Sequence, residues 1–376
     1  MKKLDENFFE RRKTLVGFSS SLLAHFNVTP FHETDPEVDA LLKGHKKVCV
    51  FLFDGAGKYN LNLFPKANRY LLSHSACEIN STNPPTTAAA TNAFLTGKWP
   101  METGWIGWSV YIPELGFPLN IFPDTNSLNG RKVDYFHDGS HFMDRYCPIK
   151  KLDALLREKG VKAKLQHVAP LGGKDSFKTF KEQGEFATRF FQEEGGEFLY
   201  SYHDCPDHHM HQYGVGHRKI KNDYKQINKM VEKFVKDNPD VLVITMADHG
   251  LIDVEYKDLA DYPEITDCLR GPMSIEGRNA NFMVKEERKE DFAKLFPSRF
   301  PDFVLLTKEE VLSQGVFGVG EENEHFQGFL GDFLAIAVGK TILQNSLDNP
   351  DKFRLKGHHA GQTLEERIIN LSVFNR

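Results

Sequence analysis

Val48-Cys-Val-Phe-Leu-Phe-Asp-Gly55 opens with six apolar residues and ends on a carboxylate and a glycine. A run so short, rich in β-branched and aromatic residues and without polar alternation, suits a strand covered on both faces. Three further runs share this character: Glu197-Phe-Leu-Tyr-Ser-Tyr202, Val241-Leu-Val-Ile-Thr245 and Asp332-Phe-Leu-Ala-Ile-Ala-Val338. Between them lie helix-like segments, including 151–159, 176–193 and 218–236. Strands alternating with helices predict an α/β fold, a three-layer α/β/α sandwich around a largely parallel central sheet.

Outward from these strands the character of the chain changes. Residues 255–330 carry more charge, proline and glycine, with a short strand expected at Asn281-Phe-Met-Val284 and a helix over 285–295. The expected organisation is a helical lead-in over 1–44, a catalytic core over 45–254 and 331–376, and a small inserted or added subdomain over 255–330. At the N-terminus, Lys2 and Lys3 precede a modestly apolar run over 14–26 that Ser19 to Ser21 interrupt. A secretory signal would be more purely apolar, so an amphipathic helix packed on the domain is expected.

Composition narrows the function classes. A net charge of −5 argues against a nucleic-acid duplex as partner. No stretch of eighteen apolar residues occurs, so no membrane partner is expected. The five cysteines are scattered, with no Cys-x-x-Cys pair, which points to reduced packing residues rather than a disulfide framework. A cytoplasmic protein is the expectation; the oligomeric state is not readable.

In an open parallel sheet, functional groups collect beyond the carboxyl ends of the strands. Asp54 directly follows the first run, Asp248 and His249 follow the third, and Asp207 and His211 follow the second after a short loop. Gly357-His-His-Ala-Gly361 adds imidazoles near the C-terminus. Singly, each Asp reads as a turn or helix cap. In combination, carboxylates and imidazoles are suitable ligands for zinc or manganese. Asp207 and His211, four apart, share a side if they lie on a helical turn.

Asn83-Pro-Pro-Thr-Thr-Ala-Ala-Ala-Thr-Asn-Ala-Phe-Leu-Thr-Gly97 contributes another part. Two prolines end an extended approach, and the alanines favour a helix starting at Thr86 or Thr87. Free N–H groups and the helix dipole there favour an anion such as phosphate. A hydroxyl at that place is either an N-cap or a nucleophile.

Together these segments resemble the alkaline phosphatase superfamily, especially its nucleotide pyrophosphatase/phosphodiesterase-like branch. The matching pieces are Phe53-Asp-Gly55, Pro85-Thr-Thr-Ala88 with Leu95-Thr-Gly97, and Pro206-Asp-His-His-Met-His-Gln-Tyr-Gly214. Ala247-Asp-His-Gly250 and His359-Ala-Gly361 leading into Glu365-Glu366 complete the set, in the family's order. The resemblance implies two divalent ions, zinc or else manganese. Asp54, Asp248, His249 and Thr87 would hold one ion, and Asp207, His211 and His359 the other. Thr87 is implied as nucleophile over Thr86 by its spacing to Thr96-Gly97, and His359 is implied over His358 because it directly precedes Ala360-Gly361. His203, His208, His209 and His217 are expected to face solvent or support the ligands. Trp105 and Trp108 either line the substrate entrance or pack in the core.

The implied function is hydrolysis of a small phosphate ester, a phosphodiesterase or nucleotide pyrophosphatase working through a phospho-threonine intermediate. Three ligand carboxylates and two dications leave about one positive charge, matching a phosphodiester monoanion. A monoester dianion favours an added cation such as Arg, for which Lys98 and Arg145 are the candidates. The family's phosphate-binding Asn has no counterpart in Gly104-Trp-Ile-Gly-Trp-Ser109, which leaves the substrate open. Alternatives are a phosphomonoesterase or phosphonate hydrolase on the same site, and a catalytically silent metal-binding protein.

Overall fold

The computed structural model of the chain describes residues 4–171, 176–348 and 354–375; Lys2 and Lys3 lie outside them. The main sheet has six strands in the spatial order 75–80, 368–374, 242–246, 48–53, 198–203, 163–167. Val48–Phe53 pairs in parallel with Phe198–His203 on one side and Leu242–Met246 on the other, and Ala163–His167 extends the parallel set. Ile368–Phe374 runs antiparallel to both its neighbours. The sheet is therefore largely parallel.

All six side chains of Val48–Phe53 are buried. Alternation along the strands sends successive residues to opposite faces. On one face Phe51 meets Phe234 at 5.1 Å between ring centroids, and Phe53 meets Phe180 at 6.1 Å. On the other, Phe198 meets Phe26 at 5.9 Å and Tyr200 meets Phe94 at 5.7 Å. The first face is covered by helices Phe180–Gln192 and Arg218–Asp237, the second by Leu15–His25 and Thr87–Thr96. This is the three-layer α/β/α sandwich. Arg218–Asp237 shows why: Ile220, Tyr224, Ile227, Val231 and Phe234 recur at helical spacing and are buried, while the lysines fall on the other side.

Two expectations need correction. The run at 332–338 forms a strand, Phe333–Ala337, but in a second, antiparallel sheet. That sheet orders its strands 303–307, 333–337, 279–282, 274–276, 109–112, 117–120, 125–126, drawing on segments before 255 as well as after it. Burial on both faces gives the same apolar run in either sheet, so hydrophobicity does not tell them apart. The helix Leu15–His25 is not amphipathic: Leu15 to Leu23 are all buried, the serines included. It packs between helix Thr87–Thr96 and helix Pro36–Leu42, and Ser21 exchanges hydrogen bonds with the backbone of Asp35.

All five cysteines are free, four of them buried. Among the described residues, no helix is long and apolar enough to cross a membrane.

Candidate functional site

The site forms where the parallel strands end. Asp54 follows Val48–Phe53, and its backbone carbonyl accepts a 3.0 Å hydrogen bond from the Asp207 N–H. Asp207 opens the helix Asp207–Tyr213, which carries His211 one turn on. Gly55 permits this approach: it adopts φ 72°, and a Cβ there would stand 2.5 Å from Leu251 Cδ1 and 2.9 Å from Asp207 Cβ. Asp248 and His249 follow Leu242–Met246. His359 comes from the segment before helix Leu364–Arg367, where Ala360 is held at φ 82°.

Thr87 is the first residue of helix Thr87–Thr96, and Thr86 is its extended N-cap. The Thr87 hydroxyl lies 3.1 Å from Asp54 Oδ2 and 3.2 Å from His249 Nε2. Asp54, Asp248 and His249 bring donor atoms within 4.8 Å of one another, and so do Asp207, His249 and His359. His211 Nε2 stands 3.2 Å from Asp207 Oδ2. All seven residues implied by the resemblance thus converge. His249 is within reach of both groups, where the sequence reading gave it to one.

The imidazoles are oriented from behind. His249 Nδ1 faces the Gly250 carbonyl at 3.2 Å, His211 Nδ1 faces Gly357 O at 2.8 Å, and His359 Nδ1 faces Pro85 O at 3.2 Å. Each carbonyl fixes the Nδ1–H tautomer and turns Nε2 into the site. A buried bidentate pair supports the His359 segment: Arg278 donates to both oxygens of Glu366 at 2.7 Å, and Glu366 Oε1 accepts from Gly361 N at 2.8 Å.

Electrostatics favour a cation. Burial, then the charges of Asp248 and Asp207, push the Asp54 carboxyl well above its ordinary range. Burial raises Asp248 as well. Burial, the largest influence, pushes Asp207 up, but His211, His249 and His358 together outweigh it and hold the carboxyl below its usual value. His359 is driven well below the ordinary imidazole value by burial and by the neighbouring His249 and His211, which keeps its lone pair available. Asp207 Oδ1 and Asp248 Oδ2 are buried with no hydrogen-bond donor. Unpartnered buried carboxylate oxygens are costly, and a divalent cation with oxygen and nitrogen ligands is the partner they suit. The residues fit a metal centre.

A cavity of about 780 Å³ opens over these residues. It contains three groups that sequence reasoning missed. The Tyr202 hydroxyl donates to Asp54 Oδ2. Glu276 Oε1 accepts from the Thr86 hydroxyl at 2.8 Å and from Trp108 N at 3.1 Å. Lys151 is the single Lys or Arg among the described lining residues. No motif marks them; only Tyr202, at the end of a recognised strand, carried a positional signal.

Other expectations divide. Trp108 is exposed and lines the cavity, whereas Trp105 is buried and donates to the Cys147 carbonyl. Lys98 sits over the Phe31 ring and Arg145 pairs with Asp138; neither lines the cavity. His203 is buried against Phe180 rather than facing solvent, His208 lines the cavity, His209 bonds Asp223, and His217 caps the helix Arg218–Asp237.

Residues 48–332 match the type I phosphodiesterase / nucleotide pyrophosphatase family. The chain belongs to this family. With that membership, the chain is a phosphoric ester hydrolase. The fold agrees. Murine ectonucleotide pyrophosphatase/phosphodiesterase 5, an inactive variant in complex with AMP, superposes with a TM-score of 0.63 at 15% identity, covering 88% of each chain. The human protein gives 0.63 at 13% identity over 87% of each chain. Phosphonoacetate hydrolase from Sinorhizobium meliloti, in complex with phosphonoacetate, gives 0.64 at 14% identity, covering 88% of this chain and 90% of that one. Among curated proteins, none matches the chain.

Proposed function

We propose that this phosphodiesterase-family enzyme hydrolyses small phosphodiesters, with Thr87 as the nucleophile. The observation that carries the reading is the position of Thr87 Oγ, at a helix N-terminus and within 3.2 Å of both Asp54 and His249. Asp54, Asp248, His249 and Thr87 would hold one divalent ion, and Asp207, His211 and His359 a second. Zinc suits this donor set, with manganese the alternative. Such ions, when bound, supply Lewis-acid charge that lowers the threonine pKa and stabilises the departing oxygen.

The chain's own groups do the rest. The Thr87 hydroxyl proton faces the Asp54 carboxylate, which Tyr202 orients from the other side. At the start of Thr87–Thr96 the Ala89 and Ala90 N–H groups donate to the Thr86 carbonyl, so the N–H groups of Thr87 and Ala88 are the ones that would meet phosphate oxygens. Thr86 leaves them open, because its hydroxyl makes no capping bond and donates to Glu276 instead. The threonine oxygen then bonds phosphorus as the bond to the leaving alcohol breaks. Water hydrolyses the resulting phospho-threonine.

Diester over monoester is supported by charge. Lys151 is the lone Lys or Arg among the described lining residues, and Glu276 adds a carboxylate; a dianion would want more cationic contacts. A phosphonate hydrolase is the second reading, favoured by the likeness to phosphonoacetate hydrolase. The free cysteines are consistent with a cytoplasmic setting. The test is turnover of a nitrophenyl phosphodiester, its monoester and phosphonoacetate by metal-loaded protein. Preference for the diester supports the proposal; preference for phosphonoacetate replaces it with the second reading.

A further inference from the structure

Past Thr87 the cavity continues as an arm between helix Thr87–Thr96 and the ends of strands Ala163–His167 and Phe198–His203. Thr87, Thr91 and Leu95 line it at four-residue spacing, so one face of the helix forms a wall that runs about 12 Å from the nucleophile. Tyr200 and Tyr202 line it from the sheet, and His167, in register with Tyr202, shares their face. Lys151, just before helix Leu152–Arg157, completes the lining on this side.

The protein leaves polar groups in this arm unmatched. The Tyr200 hydroxyl is fully buried and has no hydrogen-bond partner, which is costly unless a ligand supplies one. Burial, then the charges of Asp248 and Asp54, hold this phenol well above its ordinary pKa, so it is a donor. Among the described residues, no carboxylate pairs with Lys151. Asp153, two residues on, is taken by Arg157, and Asp204 turns to His203 at 3.1 Å. Burial and the Lys151 ammonium push His167 down to about 4, so its imidazole is neutral and offers one N–H. The His167 ring lies 5.9 Å from that of Tyr200. An ammonium, a phenol O–H and an imidazole N–H add up to one positive charge and several donors, the complement of a carboxylate.

We infer that this arm binds a carboxylate carried by the substrate, with Lys151 and Tyr200 as specificity-determining residues. The preferred phosphodiester then has a carboxyalkyl ester substituent; this rests on the phosphodiesterase reading above. In-line displacement sends the leaving alcohol away from Thr87, whereas the arm runs alongside the helix that bears Thr87. The carboxylate therefore belongs to the substituent that stays on phosphorus. A second phosphate in its place would want more than one cation.

The test compares two diesters with the same nitrophenol leaving group. One is nitrophenyl carboxybutyl phosphate; the other is nitrophenyl pentyl phosphate, in which a methyl group replaces the carboxylate. Metal-loaded wild-type protein should favour the first by about tenfold in kcat/KM, expressed mainly in KM. Lys151→Met should bring the preference close to unity, and Tyr200→Phe should reduce it about threefold. A ratio taken within each variant does not depend on how much of the preparation is folded. Turnover of both diesters at equal kcat/KM in the wild type overturns the carboxylate site and leaves the hydrolytic reading standing. A preference that survives Lys151→Met overturns it equally. Turnover of neither diester removes the hydrolytic reading and the carboxylate site with it.

Discussion

The imidazoles of His249 and His359 stack with centroids 3.9 Å apart and planes inclined by 28°. One ring follows a central strand and the other comes from the C-terminal segment, more than one hundred residues later. Their contact sets the Asp54 and Asp207 groups side by side, with His249 common to both. In the proposed reading, Asp54, Asp248 and His249 would hold one divalent ion and Asp207, His211 and His359 a second, which would supply Lewis-acid charge to the phosphoryl group.

The proposed ligand sets predict metal content. Asp207→Ala or His359→Ala should lower catalytic-site metal from about two ions per chain toward one. Chelator treatment of the wild-type enzyme should abolish turnover, with recovery on adding Zn2+ or Mn2+. Elemental analysis of variants and wild type, purified alike, checks the first statement. Unchanged metal in both variants would exclude these residues as ligands.

Glu276 is predicted to keep the nucleophile's helix end open. In Glu276→Ala the Thr86 hydroxyl loses its acceptor and is free to cap its own helix, competing with the phosphate. Turnover of a phosphodiester should fall about tenfold, equivalent to about 1.4 kcal/mol, with metal content unchanged. Glu276→Gln keeps a carbonyl oxygen for Thr86 and should recover most of the rate. Equal rates in Glu276→Ala and wild type would remove this role.

The fully buried Arg278–Glu366 pair is a stability determinant. Arg278 also donates to the carbonyls of Thr341 and Gly339, so Arg278→Leu strands a carboxylate and two acceptors. Breaking such a pair on one side costs about 3–5 kcal/mol. Urea unfolding of Arg278→Leu should report a loss of this size, and a loss below about 1 kcal/mol would contradict the assignment.

Much of this was legible because the chemistry demands residue types that stand out. A carboxylate directly after an apolar strand, as at Asp54 and Asp248, marks a sheet's carboxyl edge whatever the tertiary detail. The parallel sheet was readable from Val48–Phe53 and its neighbours for the same reason. Glu276 was not. Its place depends on Ile275, a β-branched residue at φ 70°, where such side chains are genuine outliers. Nothing local in Ser274-Ile-Glu276 announces that conformation. The strand Phe333–Ala337 was misplaced because its burial pattern, apolar throughout, is shared by both sheets.

The most direct test is Thr87→Ala, assayed for turnover of a nitrophenyl phosphodiester and for bound metal on the same preparation. The account predicts turnover lost by at least several thousandfold, on the order of 5 kcal/mol, with metal content nearly intact. A variant that retains its metal and still turns over near the wild-type rate would contradict it.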